Sequence, residues 1–162
     1  DEDSGIYVAK GMVDGHLQHL IPQATGLTPN GFELRYLTNM PVDTTDQVIA
    51  AARTLIRGNT RWITATSAAP QDCPEDEIQL IVITADSAER IRHPRVVDSM
   101  VVRGTGDLFS ATMTACLLAG KSLNEAARFS ADVVAQALKY THEAESAELL
   151  LPREWGVPSF QK

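Results

Sequence analysis

Apolar positions recur along the chain with two alternating periods. The helical period is clearest between Thr44 and Gly58. There Thr44-Thr45-Asp46 opens a segment in which Val48, Ile49, Ala52, Leu55 and Ile56 share one face, and Gly58 ends it. Upstream, Leu17, Leu20 and Ile21 predict a helix over 16–24, with Pro22 near its end. Gly26-Leu27-Thr28 reads as a short strand stopped by Pro29, and Asn30 caps a helix over 31–37. Trp62 to Thr66 and Ile78 to Thr84 read as strands, separated by a Pro- and acid-rich loop over 67–76. Glu89 to His93 alternates and closes a hairpin with the strand before it. Two long helices follow, over 105–118 and 123–140, with Gly120 ending the first and Ser122 capping the second. Ile6-Tyr7-Val8 reads as a strand end, and 149–162 as an irregular tail. Such alternation predicts an α/β fold with a mainly parallel sheet, flanking helices and a small antiparallel hairpin.

The 162 residues are 44% hydrophobic and 22% charged, which suits one globular domain or a piece of one. The net charge of −7 argues against bulk electrostatic binding of nucleic acid. No apolar run is long enough to cross a bilayer. Cys73 and Cys116 are the only cysteines, too few for a disulfide framework or a zinc site, so a reducing cytoplasmic setting is expected. The abrupt opening Asp1-Glu2-Asp3-Ser4-Gly5, without an initiator Met, reads as a cut end.

Chemistry concentrates in Gly104-Thr105-Gly106-Asp107-Leu108-Phe109-Ser110-Ala111. Gly104 and Gly106 let a ligand approach the backbone, and the apolar helix starts immediately after them. Its first amides lack intrahelical partners and its dipole favours anions, so the segment forms a phosphate-sized pocket. A carboxylate at Asp107 would repel phosphate if its only task were to help hold it. It fits better as the base that takes a proton from a hydroxyl attacking a γ-phosphate. The plainer alternative is a tight turn with Asp107 as a helix cap. The segment is neither a Walker A loop nor a dinucleotide fingerprint.

GTGDLFSA resembles the anion-hole and base motif of ribokinase-superfamily small-molecule kinases. Further segments resemble the bacterial pyridoxal/pyridoxine kinases, in the same order along nearly all of the chain. Asp1 to Val8 is similar to the segment that follows their PV(I/L/M)G stretch. Thr28-Pro29-Asn30-Gly31-Phe32-Glu33-Leu34 resembles their TPNxFEL motif, and Trp62 to Ser67 their W-V-V-V-T-S strand. His93-Pro94-Arg95-Val96 resembles their H-S-R-V element, and Glu145 with Leu149 through Pro152 their E-L-I-L-P ending.

The resemblance implies a ribokinase-like fold, with residues 1–162 as the C-terminal, nucleotide-binding and base-bearing portion of a single domain. It implies ATP-dependent phosphorylation of the 5′-hydroxymethyl group of pyridoxal, pyridoxine or pyridoxamine. Asp107 would be the base, with Gly104, Thr105 and Gly106 offering amides to the moving phosphoryl group. Thr28, Asn30, Thr66, Ser67, His93, Pro94, Arg95, Val96 and Thr105 would serve ATP, as would Asp1. Glu33 would act on both ATP and Mg2+, and Tyr7 on the metal; K+ is a further expected ion. A homodimer is implied, with neither nucleic acid nor a membrane as partner. Family members extend upstream of Asp1, where the pyridine ring pocket would lie, so the chain alone is expected to be inactive. Thr64-Ala65 in place of two β-branched residues, and Asn39-Met40-Pro41 without a glycine, depart from the family pattern around the adenine pocket. Two alternatives stand beside this reading: a hydroxymethylpyrimidine kinase of the same superfamily, and a nucleotide-binding relative without turnover.

Overall fold

The computed structural model describes residues 10–96, 102–152 and 155. Asp1, Tyr7 and the strand expected at Ile6–Val8 lie outside the described residues. By internal contacts the chain divides into two compact units, Asp1–Arg92 and His93–Lys162.

The first unit opens with continuous helical winding. Helix α1 spans Lys10–Gly15, widens to a π-type turn over His16–Leu20 and tightens to a 3₁₀ turn over Ile21–Gln23. The winding begins six residues before the expected start at His16. Its apolar face there is thin, since among the described side chains of this winding only Val13 and Ile21 are buried. Strand β1 (Gly26–Leu27) leads into α2 (Gly31–Thr38), and α3 (Thr45–Leu55) follows. Both helices start on reciprocal capping boxes, Asn30 with Glu33 and Thr44 with Gln47. Each such cap stabilises its helix by about 1 kcal/mol, because it satisfies amides the helix cannot. The α3 period buries Val48, Ala51, Ala52 and Leu55 against the sheet. Burying each branched side chain contributes about 1.5–3 kcal/mol.

Strands β2 (Trp62–Ala65), β3 (Glu77–Thr84) and β4 (Ala88–Pro94) complete a sheet of order β1-β2-β3-β4. The expected parallel pairing is present between β1 and β2, with Gly26 opposite Trp62 and Leu27 opposite Ile63. Strand β3 runs antiparallel to β2, with Ile63 opposite Ile83 and Ala65 opposite Ile81, so the sheet is mixed. Those four side chains share the face that packs beneath α2 and α3, with Leu34, Val42 and Val48. The α3 start gains a second anchor, because Asp72 Oδ2 accepts the Thr45 amide at 2.6 Å. That amide and the Thr45 hydroxyl, helped by Arg90 and Arg92, hold the Asp72 carboxyl below the usual carboxylate range. The buried Gln79 donates through Nε2 to Thr45 Oγ1 at 3.4 Å.

In the second unit α4 (Thr105–Leu118) packs against α5 (Leu123–Glu143). Small residues on α5, among them Ala126, Ala127, Ser130 and Ala131, let Phe109, Met113 and Cys116 of α4 sink into the core. Cys116 is therefore a core residue, as its place in an apolar helix implied. The α5 start is a third capping box, Ser122 with Glu125, and the Ser122 hydroxyl and amide lower the Glu125 carboxyl. Past α5 the chain turns back through Glu145, and Glu148 forms a parallel bridge with Arg103. That bridge, which has no signature in the residue pattern, ties down the approach to Gly104.

Candidate active site

Two clusters hold the described site residues, one in each unit. The first lies at the carboxyl ends of the parallel pair β1–β2, the edge at which open α/β sheets hold ligands. Thr28, which is half-buried, follows β1 directly. The parallel ladder is extended by a bridge between Asn30 and Thr66, and the Thr66 amide donates to the Pro29 carbonyl at 2.9 Å. The two loops are thereby zipped together. Asn30 Oδ1 accepts the Glu33 amide at 2.8 Å, and the Asn30 amide donates to Glu33 Oε2 at 2.9 Å. Glu33 is exposed, so its carboxylate is oriented by the box while remaining open to solvent.

Close backbone approach completes this cluster. A Cβ placed on Gly31 would lie 3.1 Å from the Ser67 carbonyl oxygen, which is tighter than most real Cβ contacts. Ser67 and Ala69 both adopt positive φ, 46° and 54°. Non-glycine residues held there cost of order 1–3 kcal/mol each, and such strain gathers at ligand sites. Ser67 is exposed, whereas Ala68 and Ala69 are buried beneath it. The Ala68 amide donates to the Gln79 carbonyl at 3.2 Å.

The second cluster surrounds the start of α4. Gly104 is the N-cap, with φ 98° and ψ −3°, a conformation that disfavours any residue with a Cβ. It has no side chain to cap the helix, and no side-chain cap is present. The Leu108 amide is the first to turn inward, donating to the Gly104 carbonyl at 3.0 Å. The amides of Thr105, Gly106 and Asp107 precede it, at the positive end of a 14-residue helix. Asp107 and Gly106 are exposed, and nothing lies within 4 Å of a Cβ built on Gly106. Ser110 Oγ donates to the Gly106 carbonyl at 2.9 Å. The arrangement is an open set of donors with a solvent-accessible carboxylate in the same turn. Asp107 does not turn inward, and among the described residues nothing packs over Gly106.

His93 is half-buried with both ring nitrogens facing acceptors. Nδ1 donates to the Pro94 carbonyl at 2.9 Å, and Nε2 lies 3.1 Å from Asp132 Oδ1 on α5. Asp132, 39 residues away, has no local signal that would mark it as a partner. Pro94 and Arg95 are exposed and Val96 is half-buried. Among the described residues no three or more His, Cys, Asp or Glu side chains converge as a metal cage. No helix among them is long and apolar enough to cross a membrane.

Comparison with known proteins places this geometry in context. Residues 4–150 match the family model described as phosphomethylpyrimidine kinase. A pyridoxine/pyridoxal/pyridoxamine kinase of Bordetella bronchiseptica is 50% identical over 151 residues, covering 93% of this chain and 53% of the relative. The chain thus spans about half the length of the curated relatives it matches. Among solved structures, the pyridoxal kinase of Staphylococcus aureus in complex with ADP superposes with a TM-score of 0.71 at 24% identity. That match covers 83% of this chain and 50% of that one. A putative phosphomethylpyrimidine kinase from Bacteroides thetaiotaomicron gives a TM-score of 0.74 at 26% identity, covering 87% and 49%. The fold is the ribokinase-like one that the sequence resemblance implied.

Proposed function

This chain belongs to the phosphomethylpyrimidine kinase family, and from that premise we propose that it carries the base and the nucleotide-handling residues of an ATP-dependent pyridoxine/pyridoxal/pyridoxamine kinase. The observation that carries the proposal is the α4 start, where an exposed Asp107 shares one turn with the open amides behind Gly104. The substrate class follows from the 50%-identical relative, which is a kinase of those three vitamers.

In the proposed reaction Asp107 takes the proton from the 5′-hydroxymethyl oxygen. That oxygen attacks the γ-phosphorus, the bond to the β–γ bridging oxygen breaks, and ADP leaves with that electron pair. The amides of Thr105, Gly106 and Asp107 receive the charge spread over the moving phosphoryl oxygens. A preorganised donor of this kind lowers a barrier by about 2.7–4 kcal/mol. Thr28, Asn30, Thr66 and Ser67 serve the nucleotide side, as does the segment His93 to Val96.

Magnesium fits the donor set. The ion is ordinarily held by one or two carboxylates together with substrate phosphates and water, not by a complete protein cage. Glu33, exposed and with one oxygen fixed by the Asn30 amide, is the carboxylate that would hold it. When bound, the ion neutralises charge on the transferring phosphates. Involvement of K+, a homodimeric assembly and a cytoplasmic location belong to the same proposal.

The test is phosphorylation of pyridoxal, pyridoxine and pyridoxamine by the intact protein, with hydroxymethylpyrimidine as competitor substrate. Turnover of the three vitamers that falls by about 10²–10⁴ in Asp107→Asn is expected. Preference for hydroxymethylpyrimidine would move the substrate assignment to that ring. Full turnover by the Asp107→Asn variant would remove the base.

A further inference from the structure

We propose that Asp72 is a positioning residue for the nucleotide: it fastens the loop after β2 to the start of α3 and so holds the Ser67 turn in its binding conformation. The inference rests on the reading of Ser67 as a nucleotide-handling residue.

The turn is not one the chain adopts unaided. Ser67 and Ala69 have positive φ, 46° and 54°, in a region that residues with a Cβ leave unless their surroundings over-determine it. The upstream side is fixed by the sheet, through the Asn30–Thr66 bridge and the Thr66 amide on the Pro29 carbonyl. On the downstream side the next strand, β3, begins only at Glu77. Ala69 instead opens a 3₁₀ turn over Pro70–Asp72, which the Asp72 amide closes on the Ala69 carbonyl at 3.0 Å. The strained pair therefore lies between two fixed points, the sheet edge and that 3₁₀ turn.

Asp72 secures the second point. Its Oδ2 accepts the Thr45 amide at 2.6 Å, a charge-assisted bond at the positive end of an 11-residue helix. Its carbonyl accepts Arg92 Nη2 at 3.1 Å. Beside it the Gln71 amide donates to the Asp43 carbonyl at 3.0 Å, just ahead of α3. Gln79 couples the two sides of the loop. Its carbonyl accepts the Ala68 amide at 3.2 Å, and its buried side chain donates to Thr45 Oγ1 at 3.4 Å. Releasing the Asp72 carboxylate lets Ser67 and Ala69 fall back to negative φ. Nucleotide affinity then drops in proportion to the share of molecules that keep the turn.

A carboxylate that only capped α3 would stabilise the helix and leave the nucleotide unaffected, so the two roles separate in solution. The experiment measures KM for ATP and for pyridoxal, ADP affinity by calorimetry, and Tm. It uses the intact protein and its Asp72→Ala, Asp72→Asn, Thr45→Val and Ser122→Ala variants. Asp72→Ala is expected to raise the KM for ATP and the Kd for ADP by about three- to tenfold, the worth of one such hydrogen bond, while the KM for pyridoxal stays constant. Asp72→Asn keeps an oxygen for the Thr45 amide, so it is expected to lower Tm yet retain nucleotide affinity. Thr45→Val removes the hydroxyl between Asp72 and Gln79 and is expected to weaken ADP binding in the same direction. Ser122→Ala removes the α5 cap instead, and is expected to lower Tm without moving either nucleotide constant.

Unchanged nucleotide constants in a folded Asp72→Ala variant would reduce Asp72 to a helix cap and overturn the proposal. Asp72→Asn as impaired as Asp72→Ala would overturn it in favour of a direct charge contact with the ligand. Should Asp72→Ala fail to fold, unchanged ADP affinity in Thr45→Val would overturn it. Unaltered protein that binds ADP but leaves pyridoxal untouched would sink the substrate reading, and the ADP affinities of the variants would still decide the positioning role. Unaltered protein that does not bind ADP would overturn both.

Discussion

Gly106 offers the sharpest separation of stability from function. It occupies the second position of α4, its φ is not positive, and a Cβ built on it meets nothing within 4 Å. Neither strain nor crowding therefore explains a glycine there. In a helix, glycine costs about 0.5–1 kcal/mol relative to alanine through lost backbone entropy. Gly106→Ala should accordingly stabilise the protein by about that amount, a rise in Tm of roughly 1–4 °C. The same methyl group would stand beside an amide meant to donate to a phosphoryl oxygen at about 2.7–3.1 Å. Loss of one such donor corresponds to a fall of about 10²–10³ in kcat. Calorimetric melting and steady-state kinetics on one preparation of the intact protein provide both numbers. A raised Tm with an unchanged kcat would mean that no anion passes Gly106, and the anion-hole argument would fail. A lowered Tm would refute the geometric argument itself.

Asp107→Asn should reduce kcat by about 10²–10⁴, the usual weight of a general base, while ADP affinity measured by calorimetry is retained. Gly104→Ala should destabilise the protein by about 1–2 kcal/mol in chemical denaturation. The cause is φ of 98° alone, since the nearest atom to its Cβ would be Leu149 Cδ2 at 3.7 Å. Gly26→Ala would drive a Cβ into the Trp62 ring, so that ring must move. A loss of about 1–3 kcal/mol and an altered Trp fluorescence maximum are expected. Asp72 has its carboxyl held low in the folded state, so its contribution is present above its unfolded pKa and is lost as pH falls through the lower folded value. Asp72→Asn should therefore lower stability at neutral pH and flatten the acid limb of a stability–pH curve. An unchanged acid limb would show that the Thr45 contact does no such work.

What could be read from the residue order was what neighbours in the chain decide among themselves. The caps at Asn30, Thr44 and Ser122 each bond to a residue three positions on, and the apolar face of α3 repeats within one helical turn. The open amides after Gly104 follow from the same local logic, because any helix start leaves its first donors without partners. Even the oriented Glu33 lies in reach of this logic, as an acid three residues past a cap.

Contacts between distant segments were of another kind. Strand β3 pairs antiparallel with β2, Asp72 caps a helix 27 residues earlier, and His93 meets Asp132 across 39 residues. Trp62 covers Gly26 because the β1–β2 register sets them opposite one another. Such pairs carry no periodic signature, since their energy depends on how the segments approach in space. Residue order therefore specified the helix ends and the chemistry placed on them. Packing of the folded chain decided how the strands pair, which distant carboxylates anchor a helix start or a ring, and which glycines have no room for a side chain.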